Sequence, residues 1–387
     1  MPVQRRQQRP VRMALALGLV ALAGCGSDDG PADTPARDAA AAGSQPSEVL
    51  AARLEKARRI PAFREPGPAF DAKKAAGKTV FNISVSTANA FIAQVDAGAK
   101  EAARKAGVTW VQYENQGSPA EWSRGMELAI TQGVDLITLT AVDPARLVTQ
   151  IKAAEKADIP VVNVHAVVEG QEPDAAPVTA YTYGPFLEAA QLEADWVIAD
   201  SKGKAEVLLI TTNEFPPSEP QRDVMMREFR EHCPGCKVTV VDVPPNDWPT
   251  KLSPAVQSFV LANPNARYIV PFYDSEAPFA RAGVRAAGKA DKIKIVTYNG
   301  TPSVLKLIQT GDVVAMDVGE NPKAIGYLGM DQALRVLSGV KPAEHSTNAV
   351  RIFDESNAAE AGTPPKLGVG YGSEVEPGLL KLWGLEG

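Results

Sequence analysis

The amino-acid sequence predicts an α/β protein with two lobes, each built on a doubly wound parallel sheet. Short runs rich in β-branched and other apolar residues alternate with longer amphipathic runs along most of the chain. This alternation is typical of repeated strand–helix units with right-handed crossovers. The 387 residues also exceed what one hydrophobic core usually holds, so the predicted strands divide more readily into two sheets than into one.

Ten short runs are predicted to be β-strands. They are apolar over nearly their whole length, as expected for parallel strands that helices cover on both faces. They span residues 79–86, 109–113, 134–140, 160–164, 178–181, 205–211, 237–241, 268–272, 293–298 and 313–318.

The longer runs between the strands are predicted to be helices. The first, residues 89–105, places Phe91, Val95 and Ala99 at helical spacing, and Asn89 is suited to cap its start. Several others open with proline, which is favoured in the first turn because an N–H there has no helical partner. They span residues 119–132, 144–157, 185–200, 219–232, 254–262, 276–288, 302–310 and 322–337.

The amino terminus has the three parts of a secretory signal peptide. Four arginines without an acidic residue precede an apolar run at residues 13–21, which is shorter than the about 20 residues that span a bilayer. Leu22-Ala23-Gly24-Cys25 follows and resembles the lipobox of bacterial lipoproteins. This resemblance implies that residues 1–24 are removed and that Cys25 carries a lipid on the outer face of the cell membrane. An ordinary signal peptide with a chance cysteine is the alternative.

Residues 25–48 are predicted to be a flexible tether between membrane and domain. The segment is rich in Gly, Ser, Asp, Ala and Pro and has almost no large apolar residue, so it cannot bury enough surface to offset its ordering entropy. The whole chain has a net charge of −6, and loss of the four leader arginines makes this −10. An acidic balance argues against a nucleic-acid partner, which requires a basic face.

Two cysteines, Cys233 and Cys236, remain after the leader. Outside the membrane such a pair tends to oxidise, and the intervening Pro-Gly permits a tight turn. We predict a small structural disulfide at a helix-to-strand turn. A redox or metal site is the alternative, although only His232 is an adjacent further ligand.

Polar and aromatic side chains follow the predicted strands at their carboxyl ends. In open α/β sheets, ligands bind at these ends, where the loops face a crevice. Most of these side chains are neutral amides, hydroxyls and aromatic rings, which suit an uncharged, hydroxyl-rich ligand. The segments are residues 84–91, 138–144, 163–165, 213–214, 273–274, 298–300 and 317–321.

From about residue 78 to residue 339, the chain resembles the type I periplasmic sugar-binding proteins, the ribose- and galactose-binding group that serves ABC importers. The matching stretches are VSTANAFIAQVDAGAKEAA, GVDLITLTAVDPA, ADIPVVNV, IVTYNGTP and GENPKAIGYLG. The resemblance implies two lobes, joined by three crossing segments, that close on a ligand by a hinge. The crossings are expected near residues 181–184, 318–321 and 346–352. The N-terminal lobe is then 78–183 plus 321–345, and the C-terminal lobe is 184–320 plus 346–387.

The resemblance also implies a set of ligand-binding residues, some of which depart from the family pattern. His165 stands where these proteins commonly have aspartate, Tyr273 where asparagine is common, Asn299 in place of aspartate, and Glu320 in place of glutamine. Ala166 replaces a frequent arginine. The full set is Asn89, Phe91, His165, Arg222, Tyr273, Asn299 and Glu320.

Each of these positions also has a structural interpretation. For Asn89 the alternative is a helix cap without ligand contact, and for Phe91 it is a core side chain. For His165 it is a structural histidine with its hydrogen bonds satisfied, and for Arg222 it is half of a surface ion pair. Trp122 and Trp248 are further candidates for stacking walls, and Asp143 is a further candidate that precedes a helix-opening proline; for these three, packing, surface or capping roles are the alternatives.

The predicted function is that of an extracytoplasmic, lipid-anchored solute-binding protein. It captures a small polar ligand, a sugar or sugar-like compound, for the permease of an ABC importer, and it acts as a monomer. No catalytic residue, cofactor or metal is predicted, because a nucleophile elbow, an HExxH motif and a P-loop are all missing from the sequence. The alternatives are a sensor that signals to a membrane receptor, a binding protein for a non-sugar molecule, and a secreted hydrolase.

Overall fold

The computed structural model describes residues 46–385. The predicted signal peptide 1–24, Cys25 and most of the predicted tether 25–48 lie outside the described residues. Helix α1 (Pro46–Arg58) begins before residue 48, where the tether was predicted to end, so the helix corrects this boundary of the tether. Within the described range, no helix combines the length and the hydrophobicity that a membrane span requires.

The N-terminal lobe contains a parallel sheet with the strand order β2-β1-β3-β4-β5. Its strands are β1 (Thr79–Ser84), β2 (Thr109–Tyr113), β3 (Leu136–Thr140), β4 (Val161–Val164) and β5 (Ala180–Thr182). Its helices are α2 (Ala90–Lys105), α3 (Pro119–Gln132), α4 (Val148–Lys156) and α10 (Pro322–Leu337). Apolar residues form one core cluster on each face of the sheet.

The C-terminal lobe contains a sheet with the order β11-β10-β9-β8-β6-β7, in which only β11 is antiparallel to its neighbour. The strands are β6 (Glu206–Thr211), β7 (Lys237–Asp242), β8 (Tyr268–Pro271), β9 (Lys294–Asn299), β10 (Val314–Glu320) and β11 (Val350–Asp354). The helices are α5 (Phe186–Asp200), α6 (Ser218–His232), α7 (Ser253–Ala262), α8 (Ala277–Ala286) and α9 (Pro302–Gln309). Short helical turns occupy Ala72–Ala75, Pro144–Leu147, Pro245–Asp247, Trp248–Leu252 and Ala358–Ala361.

These two sheets, covered by helices, confirm the predicted fold class. All ten predicted strands are present, and their ends shift by at most two residues. Strand β11 was not predicted as a strand, because it lies largely inside the segment expected to cross between the lobes. Its antiparallel pairing with β10 joins residues 350–354 to the edge of the second sheet.

Two glycines let helices α2 and α10 pack in close contact. A Cβ atom added at Gly98 would lie 2.6 Å from the carbonyl oxygen of Lys323, and one added at Gly326 would lie 2.3 Å from that of Val95. Both distances are shorter than any van der Waals contact, so only glycine permits this approach. Helix α10 therefore packs on the N-terminal lobe although it follows the second sheet in the chain.

The segments predicted to cross between the lobes lie side by side. The N–H of Tyr183 donates to the carbonyl oxygen of Ser346 at 2.8 Å, and Tyr183 forms a parallel bridge with Thr347. The side-chain amide of Asn348 donates to the carbonyl oxygen of Asn321 at 3.2 Å. These bonds connect all three crossings at one place, as a hinge requires.

The two ends of the described chain also connect the lobes. Helix α1 packs on the C-terminal lobe, where Arg53 donates to Asp195 and to Glu228, each at 2.9 Å. The last helix, α11 (Val375–Leu382), instead enters the core of the N-terminal lobe, where Trp383 is fully buried. The assignment of all of residues 346–387 to the C-terminal lobe is therefore wrong for this last part.

Cys233 and Cys236 form a disulfide at the turn between α6 and β7, as the sequence predicts. The backbone closes the same turn, since the N–H of Cys236 donates to the carbonyl oxygen of Cys233 at 2.9 Å. Cys236 Sγ also accepts a hydrogen bond from the N–H of Ala205, at the residue that precedes β6. The pair therefore fastens the end of α6 to the start of β6 in the second sheet.

Candidate ligand-binding cleft

A cleft lies between the lobes at the carboxyl ends of the parallel strands. It contains roughly 530 Å³ of space that protein atoms do not fill, including its open mouth. The N-terminal lobe contributes Val85, Asn89, Phe91, Ile92, Ala141, His165 and Ala166. The C-terminal lobe contributes Phe186, Phe215, Pro216, Pro217, Trp248, Tyr273, Ser275 and Asn299. The position agrees with the rule for ligand sites in open α/β sheets.

Asn89 begins helix α2 and also contacts the opposite lobe. Its Oδ1 atom accepts hydrogen bonds from the backbone N–H groups of Phe91 and Ile92, at 3.0 and 3.1 Å. Its Nδ2 atom donates across the cleft to the Ser275 hydroxyl at 3.1 Å. The structural and the functional interpretations of Asn89 are thus compatible, since one end of the amide caps the helix and the other bridges the lobes.

A second bond bridges the rim of the cleft. The guanidinium of Arg146 donates to the backbone carbonyl of Glu214 at 3.2 Å. Asp143 takes the capping role at this rim, accepting a hydrogen bond from the N–H of Ala145 at 2.9 Å. Since two hydrogen bonds connect polar groups of the two lobes, the structure is a closed arrangement.

A buried pair, His165 and Glu320, lies at the base of the cleft. His165 Nε2 is 3.0 Å from one carboxylate oxygen of Glu320, and neither side chain has more than 5 % of its surface exposed. The ring centroids of Phe91 and Phe186 lie 5.7 and 4.8 Å from that of His165. Asn299 donates to the other Glu320 oxygen at 3.3 Å, so this chain of contacts joins the two lobes beside the crossings.

The wall on the C-terminal lobe is aromatic. The Phe215 ring lies edge-on to Tyr273 and to Trp248, with centroids 5.7 and 6.3 Å apart. The Tyr273 hydroxyl donates to Gln221 at 2.9 Å, and burial raises the pKa of this tyrosine. The indole N–H of Trp248 donates to the carbonyl oxygen of Val243 at 3.0 Å. These hydrogen bonds hold the rings in place with the apolar atoms available to a ligand.

Hydroxyl groups near the end of the first sheet are bonded within the protein. Thr138 and Thr140 both donate to Asn82 Oδ1 at 2.8 Å, and Ser84 donates to Asp96 at 2.6 Å. Burial raises the pKa of Asp96 to about 6, although hydrogen bonds from Ser84 and Asn82 oppose the change. This buried network stiffens the floor of the N-terminal lobe and offers few free hydroxyls to a ligand.

A group of buried carboxyl side chains lies behind the aromatic wall. We call Glu193, Asp274, Glu276 and Asp317 the carboxylate cluster. Burial raises the pKa of Asp274 to about 7 and raises that of the other three well above its ordinary range. Within residues 46–385, none of the four has a salt-bridge partner, and no three His, Cys, Asp or Glu side chains are arranged to hold a metal ion.

The structure brings most of the predicted site residues together. Asn89, Phe91, His165, Tyr273 and Asn299 line the cleft, and Glu320 lies directly behind His165 and Asn299.

Three other sequence-based candidates have different outcomes. Arg222 does not reach the cleft, because it lies on helix α6 and pairs with Glu219 and Asp223; we therefore remove it from the site. Trp248 lines the cleft. Trp122 packs in the core and donates its indole N–H to the carbonyl oxygen of Val85.

Sequence reasoning missed Phe186, Phe215 and Ser275. Phe186 opens helix α5 and was interpreted only as part of that helix. Phe215 follows β6 by four residues, and Ser275 follows Tyr273 by two, so both lie just beyond the segments singled out at these strand ends. A wider window after each strand would have included Phe215 and Ser275.

Comparison with known proteins agrees with this fold. Over 272 residues the chain is 26 % identical to a D-ribose/D-allose-binding protein of Pseudomonas aeruginosa, covering 68 % of this chain and 83 % of that protein. It is 23 % identical over 269 residues to the ribose import binding protein RbsB of Escherichia coli, covering 69 % and 88 %. The fold matches a 5-methylthioribose transporter solute-binding protein of Thermotoga lettingae, with a TM-score of 0.67, 21 % identity, and coverage of 81 % and 98 %.

A family model, the periplasmic binding protein domain, matches residues 80–341. This range is more than half of the chain and includes both sheets and the cleft between them, with the exception of β11 and the two terminal extensions. The protein therefore belongs to the periplasmic binding protein domain family, whose members bind solutes outside the cytoplasm.

Proposed function

We propose that the protein captures a small uncharged solute of the sugar class in its cleft and presents it to an ABC importer. The observation that carries this proposal is the closed cleft with its aromatic walls. Among the lining residues that the structure describes, the ionisable groups are the Tyr273 phenol and His165, which is paired with Glu320. The names of the two ribose-binding relatives support the sugar class, as does the bound 5-methylthioribose of the structural neighbour.

Closure of the two lobes is the proposed working step. Opening would break the Asn89–Ser275 and Arg146–Glu214 hydrogen bonds at the rim. A ligand that contacts both walls stabilises the closed form. The size of this stabilisation is set by the difference between the binding free energies of the ligand to the closed and open forms. Closure also removes water from the ligand and creates a surface, built from both lobes, that a permease can distinguish from the open form.

The parts of the chain outside the described residues have proposed roles as well. Residues 1–24 direct export, Cys25 carries the lipid, and the following segment tethers the domain to the outer face of the membrane. The partner is a membrane permease, and the protein acts as a monomer without a cofactor or nucleic acid. Incorporation of labelled fatty acid that is lost in a Cys25→Ala variant tests the anchor.

Thermal stability of the purified protein tests ligand capture. A solute that binds only the folded protein raises its Tm, by an amount that corresponds to about 2.7 kcal/mol at a hundredfold excess over Kd. We expect such a rise with at least one compound in a panel of sugars, sugar derivatives, polyols and nucleosides, and we expect the compound to be recovered unchanged. A panel without any stabilising compound would contradict the proposal, and a chemically altered ligand would indicate an enzyme.

Two variants separate the cleft from the surface. Ser275→Ala removes the cross-cleft hydrogen bond from the closed form, which is worth about 0.5–1.5 kcal/mol, so affinity falls several-fold. Arg222→Ala is the matched control, because Arg222 pairs with Glu219 and Asp223 on the surface of α6. Equal losses of affinity in both variants would mean that the site has been placed wrongly.

A further inference from the structure

Aromatic and other apolar side chains make up most of the surface that the cleft presents. Phe91 and His165 belong to the N-terminal lobe, and Phe215, Trp248 and Tyr273 belong to the C-terminal lobe. Rings from both lobes can therefore contact the two faces of one bound molecule when the cleft is closed. Such walls favour binding of a ligand with apolar surface, because every contact removes that surface from water.

The polar atoms of these walls are largely occupied by the protein itself. Both ends of the Asn89 amide are used, the N–H of Asn299 and one nitrogen of His165 contact Glu320, and the Tyr273 hydroxyl donates to Gln221. The indole N–H of Trp248 also has a backbone partner. A ligand thus finds few donors or acceptors that are not already engaged.

The charges around the cleft point to an uncharged ligand. No lysine or arginine is among the lining side chains of the described chain, so an anionic ligand would have no partner for its charge. Glu320 is fully buried and already shared between His165 and Asn299. A cationic ligand would have to compete with His165 for this carboxylate.

A fully hydroxylated sugar is a poor match for such a cleft. Each hydroxyl that leaves water without a new partner weakens binding, by roughly 1–3 kcal/mol for a buried group. Thr138, Thr140 and Ser84, which the sequence placed at the strand ends, bond to Asn82 and Asp96 instead of facing a ligand. The cleft therefore favours a molecule in which an apolar group replaces some of the hydroxyls.

On the basis of the proposed function, we propose that the ligand is an uncharged sugar derivative carrying an aryl or alkyl group, with that group held between the aromatic walls. The polar part of the ligand contacts Asn299 and Ser275, and its apolar part contacts Phe215 and Trp248. The selectivity of the protein then depends on the apolar substituent more than on the pattern of hydroxyl groups.

Matched ligand pairs test this proposal by calorimetric titration of the purified protein. The first pair compares D-ribose with phenyl β-D-ribofuranoside, and the second compares D-glucose with phenyl β-D-glucopyranoside. We expect the aryl member of at least one pair to bind about tenfold more tightly than its parent sugar, because the ring adds apolar contact area. A parent sugar that binds as tightly as its derivative, or more tightly, overturns this inference and leaves the proposed capture of sugars intact.

Variants of one wall residue localise the effect. Phe215 is half-buried, so Phe215→Ala removes ring contact at the cleft, and we expect it to weaken aryl-glycoside binding by about tenfold while parent-sugar binding changes little. Phe215→Tyr keeps the ring and preserves binding even if the alanine variant is unstable. Leu128→Ala, on the exposed face of α3, is the control. If a charged solute is the only one to bind, this inference fails. If no member of the wider panel binds, both this inference and the proposed function fail.

Discussion

Two buried acidic sites, one in each lobe, are accommodated in opposite ways. In the N-terminal lobe, Asp331 is completely buried with Arg335, whose Nε atom lies 2.8 Å from its carboxylate, and the indole N–H of Trp383 donates to the same group at 2.7 Å. In the C-terminal lobe, the carboxylate cluster is equally buried but has no cation beside it, and both oxygens of Glu193 are without a hydrogen-bond partner in the described chain.

The difference shows two ways in which a folded protein tolerates buried acids. Burial raises the pKa of Asp331, but the hydrogen bond and charge of Arg335 and the N–H of Trp383 oppose the rise. Among the described residues, the donors to the carboxylate cluster are neutral, such as the Thr301 hydroxyl and N–H that bond to Asp274. Its members therefore avoid the cost of a buried charge by staying protonated to higher pH.

The largest effect is expected from breaking the paired site. Arg335→Met leaves Asp331 buried without its cation, which costs about 3–5 kcal/mol of unfolding free energy. Urea denaturation measures the loss, and the double variant Asp331→Asn/Arg335→Met should recover a large part of it because no lone charge remains. A double variant that is less stable than the single one would show that Arg335 acts mainly through its packing on Phe70.

A smaller loss is expected when only the indole donor is removed. Trp383→Phe keeps an aromatic ring beside Tyr327, on which Trp383 stacks at 6.0 Å, but it deletes the hydrogen bond to Asp331. A hydrogen bond to a charged group is worth about 1.5–3 kcal/mol. The same denaturation experiment checks this value, and an unchanged stability would mean that the tail is held by apolar contacts alone.

The unpaired cluster should respond in the opposite direction. Glu193→Gln removes a carboxyl whose pKa is raised in the folded protein, so at pH 8 we expect a gain of roughly 1 kcal/mol, or about 2–4 °C in Tm. The sign follows from linkage, because the folded protein holds this proton more tightly than the unfolded chain does. The benefit should disappear as the pH falls well below the ordinary value of 4.5, where both states are protonated. The control is Glu188→Gln, on the exposed face of the same helix.

The same linkage predicts how the unmodified protein responds to pH. Asp274 has a pKa of about 7 against an ordinary value of 3.8, and Asp195 also rises to about 7. Their contribution to stability is fully present below the unfolded value and is lost as the pH rises through about 7. A weaker dependence of the unfolding free energy on pH in the Glu193→Gln variant would support a raised pKa of Glu193 itself, and an identical dependence would contradict it.

The smallest effect is expected at a partly solvated pair. Asp312 accepts from Arg281 and Arg285, and these interactions, led by the Arg281 hydrogen bond, lower its pKa. Arg285 is about half exposed and Arg281 keeps its bonds after Arg285→Ala, so we expect a change within about 0.5 kcal/mol. A loss as large as that of Arg335→Met would mean that burial does not account for the contrast between the sites.

Local signals predicted the regular elements well. Helix α3 has the predicted bounds because Ser118 and Glu121 form a capping box at its start and Gly133 ends it in a left-handed conformation. Helix α10 likewise opens with Asn321 and Pro322. Strand β11 and helix α11 were missed because their stability comes from partners far away in sequence, not from a pattern of their own.

Among the residues of the candidate site, too, those with a local signal were predicted and those that depend on tertiary contacts were not. Asn89, His165 and Tyr273 were found because they follow strands whose carboxyl ends must meet at one edge. Arg222 was misplaced because a position on a helix reaches a cleft only if the right face of that helix is turned toward it. Phe186 was missed because the same apolar residue can serve as core or as wall, and its sequence context does not distinguish the two.

By itself, the sequence determined the order of strands and helices, the two-sheet fold and most of the strand-end residues of the cleft, because periodicity, caps and strand ends are local properties. The tertiary structure decided which polar groups remain free in the cleft, which buried acid has a cation, and where the chain termini pack. These features depend on contacts such as Arg53 with Glu228 and Trp383 with Asp331, between residues that only folding brings together. Hydrogen-bond satisfaction and burial are properties of such contacts, and a linear sequence does not state them.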